Sequence, residues 1–286
     1  MDSTLTNRLR TFLLACLGAA LIAPSAPAAE MKYPLSVAAA GKTVFLADKD
    51  MHGVWKIDDG KLQVVFEGSP KFRTPLNAIR YVTLDSKGRL LAADSATRDI
   101  YRFDDNQQPV PLTKGEIGIP MAIACDAQGD IYVADLEIHR IVKVPEAGGM
   151  PTVVAELQAP RGLAFDSQGR LWGVSAVSAQ SDKPQLVRIG ADGKLETVVK
   201  GVFNLPHHVA LDPAGNAYVA DNYDVTIWKI SPEGKAEKWV QGEPLKGPVG
   251  LCWQEDRLLV ADPKATGTFL FSVNAEGKVT PVEFAK

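Results

Sequence analysis

The chain of 286 residues is 46% hydrophobic and 23% charged, which is typical of a globular protein and argues against intrinsic disorder. Its 31 basic and 34 acidic residues give a net charge of −3 at pH 7. This balance argues against a nucleic-acid-binding protein, because such domains usually carry a basic surface.

The first 28 residues have the pattern of a secretory signal peptide. Arg8 and Arg10 precede an apolar run over residues 12–23, and small residues follow at positions 26–28. The apolar run is too short to cross a membrane, which takes about 20 residues. We therefore expect a signal peptide over residues 1–28, a single mature domain over residues 29–286 with no membrane span, and a periplasmic or secreted protein.

A short motif recurs six times at spacings of 40 to 46 residues. It has the form FLAD, LAAD, YVAD, WGVS, YVAD and LVAD, and its last residues are Asp48, Asp94, Asp135, Ser175, Asp221 and Asp262. Each unit contains four short β-type runs separated by turn residues. Six such units predict an all-β fold, a six-bladed β-propeller of four-stranded antiparallel blades. All four strands of a blade are contiguous in sequence, so ring closure is expected to rest mainly on packing between the first and last blades.

The recurring aspartate is more typical of structure than of catalysis, because its carboxylate can accept hydrogen bonds from the N–H groups of the turn that follows. Ser175 is the one departure, and it leaves open a catalytic triad with a distant histidine. Cys125 and Cys252 lie in equivalent apolar strands of different units. The repeat geometry separates them, which predicts no disulfide.

The repeat, P-x-G-L-A-x-D-x-x-G-x-L-x-V-A-D followed by HRIVKV, resembles the NHL repeat family, and the match is close over residues 138–144. The resemblance covers essentially the whole mature chain. It implies the propeller architecture and says little about function, since one fold supports many functions.

The direction of the strands assigns the loops to two faces. Loops between blades, and loops after the recurring motif, share the face that we call the upper face. The long insertions all fall there, over residues 67–81, 176–185, 222–226 and 263–267. Binding residues concentrate in loops held by a rigid scaffold, so we expect the functional site on the upper face.

One position per blade, at the start of the first strand, should point into the upper mouth of the central channel. These positions are occupied by Leu35, Arg80, Met121, Arg161, His207 and Val249. The next position adds Tyr81 and His208, and Asn77 lies nearby. Two arginines and a histidine converging on a narrow opening favour a small anion, since arginine binds carboxylate or phosphate with a two-pronged fork. In the simpler alternative, the arginines bond carbonyl groups of neighbouring loops and the histidines are polar caps.

Two enzyme families provide comparisons. The PHH sequence at residues 206–208 resembles a strand of the peptide-amidating lyase propellers, which bring several histidines to a zinc ion; here only His207 matches. Gluconolactonase propellers use acidic and amide ligands at the same mouth, and Asn77 and Asn204 do not make such a set. We therefore expect no metal or other cofactor, except a divalent ion under the enzyme alternative.

Three functions remain open. The leading one is binding of a small anionic ligand or a protein partner on the upper face. The second is a gluconolactonase-like hydrolase or lyase with a non-standard metal site. The third is a protein-interaction scaffold whose channel is inert.

Overall fold

A computed structural model of the chain describes residues 30–177 and 183–285. The predicted signal peptide and part of the insertion over residues 176–185 lie outside the described residues. The described residues form six four-stranded antiparallel sheets and contain no helix. No helix that could cross a membrane is therefore found in them. The six-bladed β-propeller is confirmed.

The strands follow the chain from the inside of each blade to its outside. Blade 1 contains β1 (Pro34–Ala40), β2 (Thr43–Asp48), β3 (Gly53–Asp58) and β4 (Lys61–Glu67). Blade 2 contains β5 (Ile79–Leu84), β6 (Leu90–Asp94), β7 (Asp99–Phe103) and β8 (Pro109–Pro111). Blade 3 contains β9 (Pro120–Cys125), β10 (Ile131–Asp135), β11 (Arg140–Val144) and β12 (Thr152–Glu156).

The second half of the ring repeats this order. Blade 4 contains β13 (Pro160–Phe165), β14 (Leu171–Ser175), β15 (Gln185–Ile189) and β16 (Leu195–Lys200). Blade 5 contains β17 (Pro206–Leu211), β18 (Ala217–Asp221), β19 (Thr226–Ile230) and β20 (Ala236–Gln241). Blade 6 contains β21 (Gly250–Gln254), β22 (Arg257–Ala261), β23 (Leu270–Val273) and β24 (Val279–Pro281).

The core lies between the faces of neighbouring blades. Second strands such as β14 and β18 are buried at every position, whereas outer strands such as β16 are largely exposed. Because both faces of a second strand pack against other blades, its sequence is continuously apolar and does not alternate. The predicted turns close the first hairpin of a blade: Gly88 has a φ of 75°, and its N–H donates to the carbonyl of Asp85 at 2.9 Å. Glycine adopts this conformation without the strain that a side chain would add.

The inner strands pack side by side around the channel, and β1 contacts both β5 and β21. The backbones of neighbouring inner strands lie too close for a side chain at some positions. A Cβ atom at Gly162 would lie 2.9 Å from the backbone nitrogen of Val209, and one at Gly250 would lie 2.9 Å from the carbonyl oxygen of Leu35. Glycine at these points lets the backbones of neighbouring blades approach each other.

The recurring aspartates are structural, as predicted. All five are almost fully buried, with 0–1% exposure: Asp48, Asp94, Asp135, Asp221 and Asp262. In blade 3, Asp135 accepts a hydrogen bond from Glu137 N in the following turn at 3.1 Å. It also accepts bonds from Gly118 N at 2.7 Å and Ile119 N at 3.0 Å, in the loop that leads into β9. The bonds to the loop that leads into β9 were not predicted from the sequence, and they fix the start of this inner strand.

Ser175 takes the aspartate position in blade 4, where the incoming loop presents acceptors and not donors. Its hydroxyl faces the carbonyl oxygens of Gln158 and Val177 and can donate its one proton to either of them, which a carboxylate could not do. The neighbouring Ala159 has a φ of 43°. Ser175 is fully buried, and no histidine is among its hydrogen-bond partners in the described part of the chain, so its geometry gives no support to a catalytic triad.

Ring closure uses a C-terminal latch in addition to the predicted packing of blades 1 and 6. After β24 the chain reaches the outer strand of blade 1, where Ala285 N donates to Gly60 O at 2.7 Å and Leu62 N donates to Ala285 O at 3.0 Å. Phe284 packs against the apolar cluster that joins the two blades. The last residues of the chain therefore connect the two ends of the ring.

We expect a chain that ends at Val282 to lose about 2–4 kcal/mol of unfolding free energy. It loses the two latch hydrogen bonds, at about 1 kcal/mol each, and the partial burial of Phe284. Urea unfolding followed by tryptophan fluorescence measures the difference, and a chain lacking only Lys286 is the control. Equal stability of the two truncated chains would show that blade packing alone closes the ring.

Candidate functional site

The six mouth positions meet around one cavity of about 80 Å³ at the upper end of the channel. Its lining consists of Leu35, Arg80, Tyr81, Met121, Arg161, His207, His208 and Val249. Each residue stands within the first three positions of an inner strand or just before it, where the hairpin register and, in five of the blades, the aspartate contacts fix the backbone. The alignment of the repeats therefore identified the residues that share this cavity.

The floor of the cavity is a stacked pair of rings. Tyr81 and His208 lie 4.7 Å apart between ring centres with an interplanar angle of 29°. They belong to β5 and β17, the inner strands of blades 2 and 5, which stand opposite each other in a six-membered ring. The stack therefore spans the channel, and both residues are almost fully buried.

The other four blades make room for this pair with small residues at the equivalent position. In the hairpin register these residues are Ser36, Ala122, Gly162 and Gly250. His208 is also held by its neighbour, since its Nδ1 accepts a hydrogen bond from Leu251 N at 3.1 Å. The floor is thus built from one ring pair and a set of small side chains, and it divides the channel.

Two arginines form the cationic wall. The Nε of Arg80 donates to the hydroxyl of Ser95 at 3.1 Å, and that hydroxyl donates in turn to the carbonyl oxygen of Ala78 at 3.1 Å. The Nε of Arg161 is buried and has no hydrogen-bond partner among the described residues. Burial, and then the positive charge of Arg80, lower the pKa of Arg161. In residues 30–177 and 183–285, neither guanidinium lies within 4.0 Å of a carboxylate.

The two histidines are uncharged at neutral pH. Burial, followed by the charges of Arg161 and Lys264, lowers the pKa of His207 to about 4. Burial, followed by the neighbouring His207, lowers the pKa of His208 to about 3. His207 therefore offers the cavity one donor and one acceptor without adding a third positive charge.

The rim carries three residues that the sequence did not identify. The ammonium of Lys264 donates to Asn222 Oδ1 at 2.9 Å and lies 5.6 Å from the ring centre of Tyr223, which is 66% exposed. They lie in the upper loops of blades 5 and 6, directly after Asp221 and Asp262. Their position after the recurring aspartate, in insertions on the upper face, is the signal that could have identified them.

Asn77 is not brought into the cavity. Its side-chain amide donates to Ser69 O at 2.9 Å, and its carbonyl oxygen lies 2.9 Å from His52 Nδ1. Among the described residues, no three histidine, cysteine or acidic side chains are placed to hold a metal ion. The mouth positions therefore do not supply the oxygen ligands that the gluconolactonase comparison requires.

Below the ring pair, the channel opens into a second cavity of about 270 Å³. Most of the residues that line it are hydrophobic by type, and they include Cys125 and Cys252, both of which are free. Burial raises the pKa of Cys125 to about 12 and that of Cys252 to about 11, so both remain uncharged thiols. Such thiols are poor nucleophiles, and the polar chemistry of the channel lies above the ring pair.

The chain is a six-bladed β-propeller with a divided channel and a cationic upper mouth. No family model matches it. A virginiamycin B lyase from Nocardia farcinica is 26% identical over 175 residues, which cover 61% of this chain and 59% of the lyase. The match therefore spans less than two thirds of that curated relative.

Solved structures share the fold. The nidogen/laminin complex matches with a TM-score of 0.68 and 16% identity, covering 80% of this chain and 89% of that chain. Virginiamycin B lyase from Staphylococcus aureus matches with a TM-score of 0.66 and 14% identity, covering 88% and 84%. A gluconolactonase from Xanthomonas campestris matches with a TM-score of 0.67 and 16% identity, covering 82% and 84%. These likenesses establish the propeller that the NHL-type repeat predicts.

The neutral histidines make stability depend on pH. Histidines of the unfolded chain take up protons below a pKa of about 6.5, whereas His207 and His208 stay neutral in the folded protein down to pH 4 or below. The unfolded state then binds more protons, so the unfolding free energy falls as the pH falls below 6.5. Each histidine contributes a slope of up to about 1.4 kcal/mol per pH unit.

Urea unfolding between about pH 6.5 and about pH 5, above the main range of carboxylate titration, measures this slope. We expect a shallower slope for His208→Gln, and a still shallower one when His207→Gln is added. A slope that neither substitution changes would show that these imidazoles already carry protons in the folded protein.

Proposed function

We propose that the protein binds a small anionic ligand, through a carboxylate or similar group, in the upper cavity. The observation that carries the proposal is the pair of guanidinium groups of Arg80 and Arg161. They face one small cavity, and no described carboxylate neutralises them. A partly buried cation without a counter-ion carries a desolvation cost, and a bound anion offsets that cost.

The dimensions and chemistry of the cavity support a small group. A volume of about 80 Å³ admits an anionic head group and excludes a large body, which must extend through the mouth. Arg161 can present its fork to two oxygen atoms. The neutral His207 adds a hydrogen bond beside them, and the ring pair of Tyr81 and His208 limits how deep the ligand can enter.

Arg161→Met is expected to abolish anion binding and to raise the stability of the ligand-free protein. Replacing an unpaired buried charge with an apolar side chain of similar length removes a desolvation cost, and we expect a gain of about 1 kcal/mol. For the unsubstituted protein, a carboxylate present at about 100 times its Kd adds about 2.7 kcal/mol. Thermal unfolding with and without a panel of carboxylates and phosphates measures both effects.

Arg170→Met is the matched control. Arg170 pairs with the buried Asp166 at 2.7 Å, far from the mouth, so its removal should lower stability and leave anion binding intact. An unsubstituted protein that no anion stabilises would overturn the proposed function. Stabilisation that persists in Arg161→Met would place the anion elsewhere.

A second candidate is a lyase. The curated relative from Nocardia farcinica supports it, and so does His207, because a neutral imidazole beside cationic groups can accept a proton during elimination. Virginiamycin B is the probe, and its consumption is followed by chromatography with unsubstituted protein and His207→Gln. Consumption that depends on His207 would support the lyase, and no consumption would leave anion binding as the function.

The third reading is a scaffold for a protein partner. A likeness to the nidogen/laminin complex supports it only through the fold. In the anion-binding proposal, a protein partner would dock over the same upper loops and could supply the anionic group as a side chain.

We also propose that the protein is exported to the periplasm or secreted after removal of residues 1–28. The propeller contacts begin soon after that point: Lys32 N and Tyr33 N donate to Asp48 at 2.7 and 2.9 Å, and Met31 is buried between blades. Cleavage there would leave these contacts intact. N-terminal sequencing of the protein recovered from an envelope or culture fraction should begin at Ala29, and a chain retaining Met1 would contradict export.

A further inference from the structure

Lys264 is held in place at the rim of the upper cavity. Its ammonium donates to Asn222 Oδ1, and the amide of Asn222 donates in turn to Gly247 O at 2.9 Å. The side chain of Lys264 lies against Gly247, where a Cβ atom would come within 2.6 Å of its Cδ. An exposed lysine normally keeps its side-chain freedom, so this ordering favours a role for its charge.

The residues that hold Lys264 lie close in sequence to residues that line the upper cavity. Gly247 lies two residues before Val249, which lines the cavity, and Asn222 N donates to Leu205 O at 3.0 Å, two residues before His207. Lys264 thus stands above the wall made by blades 5 and 6. Burial, then the charge of Arg161 and then that of Lys264 lower the pKa of His207, so both cations act on this imidazole.

The site therefore has two cationic levels with a neutral imidazole beside them. The lower level, Arg80 and Arg161, faces the cavity, and the upper level, Lys264, is at the rim. No described carboxylate lies within 4.0 Å of any of the three. A ligand with one negative charge would neutralise only part of this set, whereas one with two anionic groups would meet both levels.

We propose that the ligand is a short dianion with the spacing of a dicarboxylate, which places one anionic group on Arg80 and Arg161 and the other on Lys264. This inference rests on the proposed function of the upper cavity. The carbon chain that joins the two anionic groups of the ligand passes His207 and the exposed face of Tyr223. The ring pair of Tyr81 and His208 beneath keeps the deeper anionic group at the level of the arginines. Lys264 then determines specificity between ligands of one and two charges.

Isothermal titration calorimetry at fixed ionic strength tests the proposal with malonate, succinate, glutarate and adipate. Each is compared with the monocarboxylate of the same chain length. We expect one dicarboxylate to bind about tenfold more tightly than the monocarboxylate of the same chain length, because it makes one additional charged hydrogen bond. Lys264→Gln should remove this tenfold advantage and weaken monocarboxylate binding much less, because only the dicarboxylate bonds the ammonium directly. Lys278→Gln makes the same charge change in the turn between β23 and β24, on the opposite face, and should alter neither affinity.

The outcomes distinguish a failure of the dianion proposal from a failure of the proposed anion-binding function. If monocarboxylates and dicarboxylates bind equally, or if Lys264→Gln weakens both alike, the dianion proposal is overturned and the anion site stands. If no carboxylate binds the unsubstituted protein, the proposed function itself fails. A tenfold preference that Lys264→Gln abolishes and Lys278→Gln retains supports both.

Discussion

The buried aspartate that ends the second strand holds the inner parts of five blades in place. In blades 1, 2, 3 and 6 its two oxygen atoms accept hydrogen bonds from the turn that follows and from the loop that leads into the inner strand of the same blade. In blade 6, for example, Asp262 accepts bonds from Lys246 N, Gly247 N and Lys264 N. In blade 5, Asp221 accepts bonds from the incoming loop and from the indole Nε1 of Trp228. A carboxylate with several backbone donors can remain charged in a buried position. Since the incoming loop is fixed, the residue that begins each inner strand is fixed too.

The mouth of the channel depends on this arrangement. Six strand starts, one per blade, are brought to the same height, and their side chains define the cavity. The rim residues benefit from the same contacts: Lys264 follows Asp262 by two residues, and its backbone N–H is one of the donors just described. The interaction that stabilises the blades therefore also positions the groups that we assign to ligand binding.

The centre of the ring combines two opposing requirements. Neighbouring inner strands need small residues where they approach closely, as at Gly162 and Gly250. A channel of this width would otherwise be open, and the stack of Tyr81 on His208 closes it. Arg161 and His207 lie partly buried above this closure, and burial lowers the pKa of both. The electrostatic cost of the site is thus a consequence of how the channel is sealed, and it is tolerated because the surrounding blades are well packed.

The amino-acid sequence alone determined the six blades, the contiguous strands and the identity of the residues at the mouth. These follow from local patterns, since turn residues, apolar runs and a recurring aspartate repeat at a constant interval. Only the tertiary structure decided how those residues act together. It stacks Tyr81 on His208 from opposite blades, leaves the Nε of Arg161 without a partner among the described residues, directs Asn77 away from the cavity and brings Lys264 to its rim. Such relations join residues tens to more than a hundred positions apart, and no local pattern encodes the distance between side chains that meet across a ring.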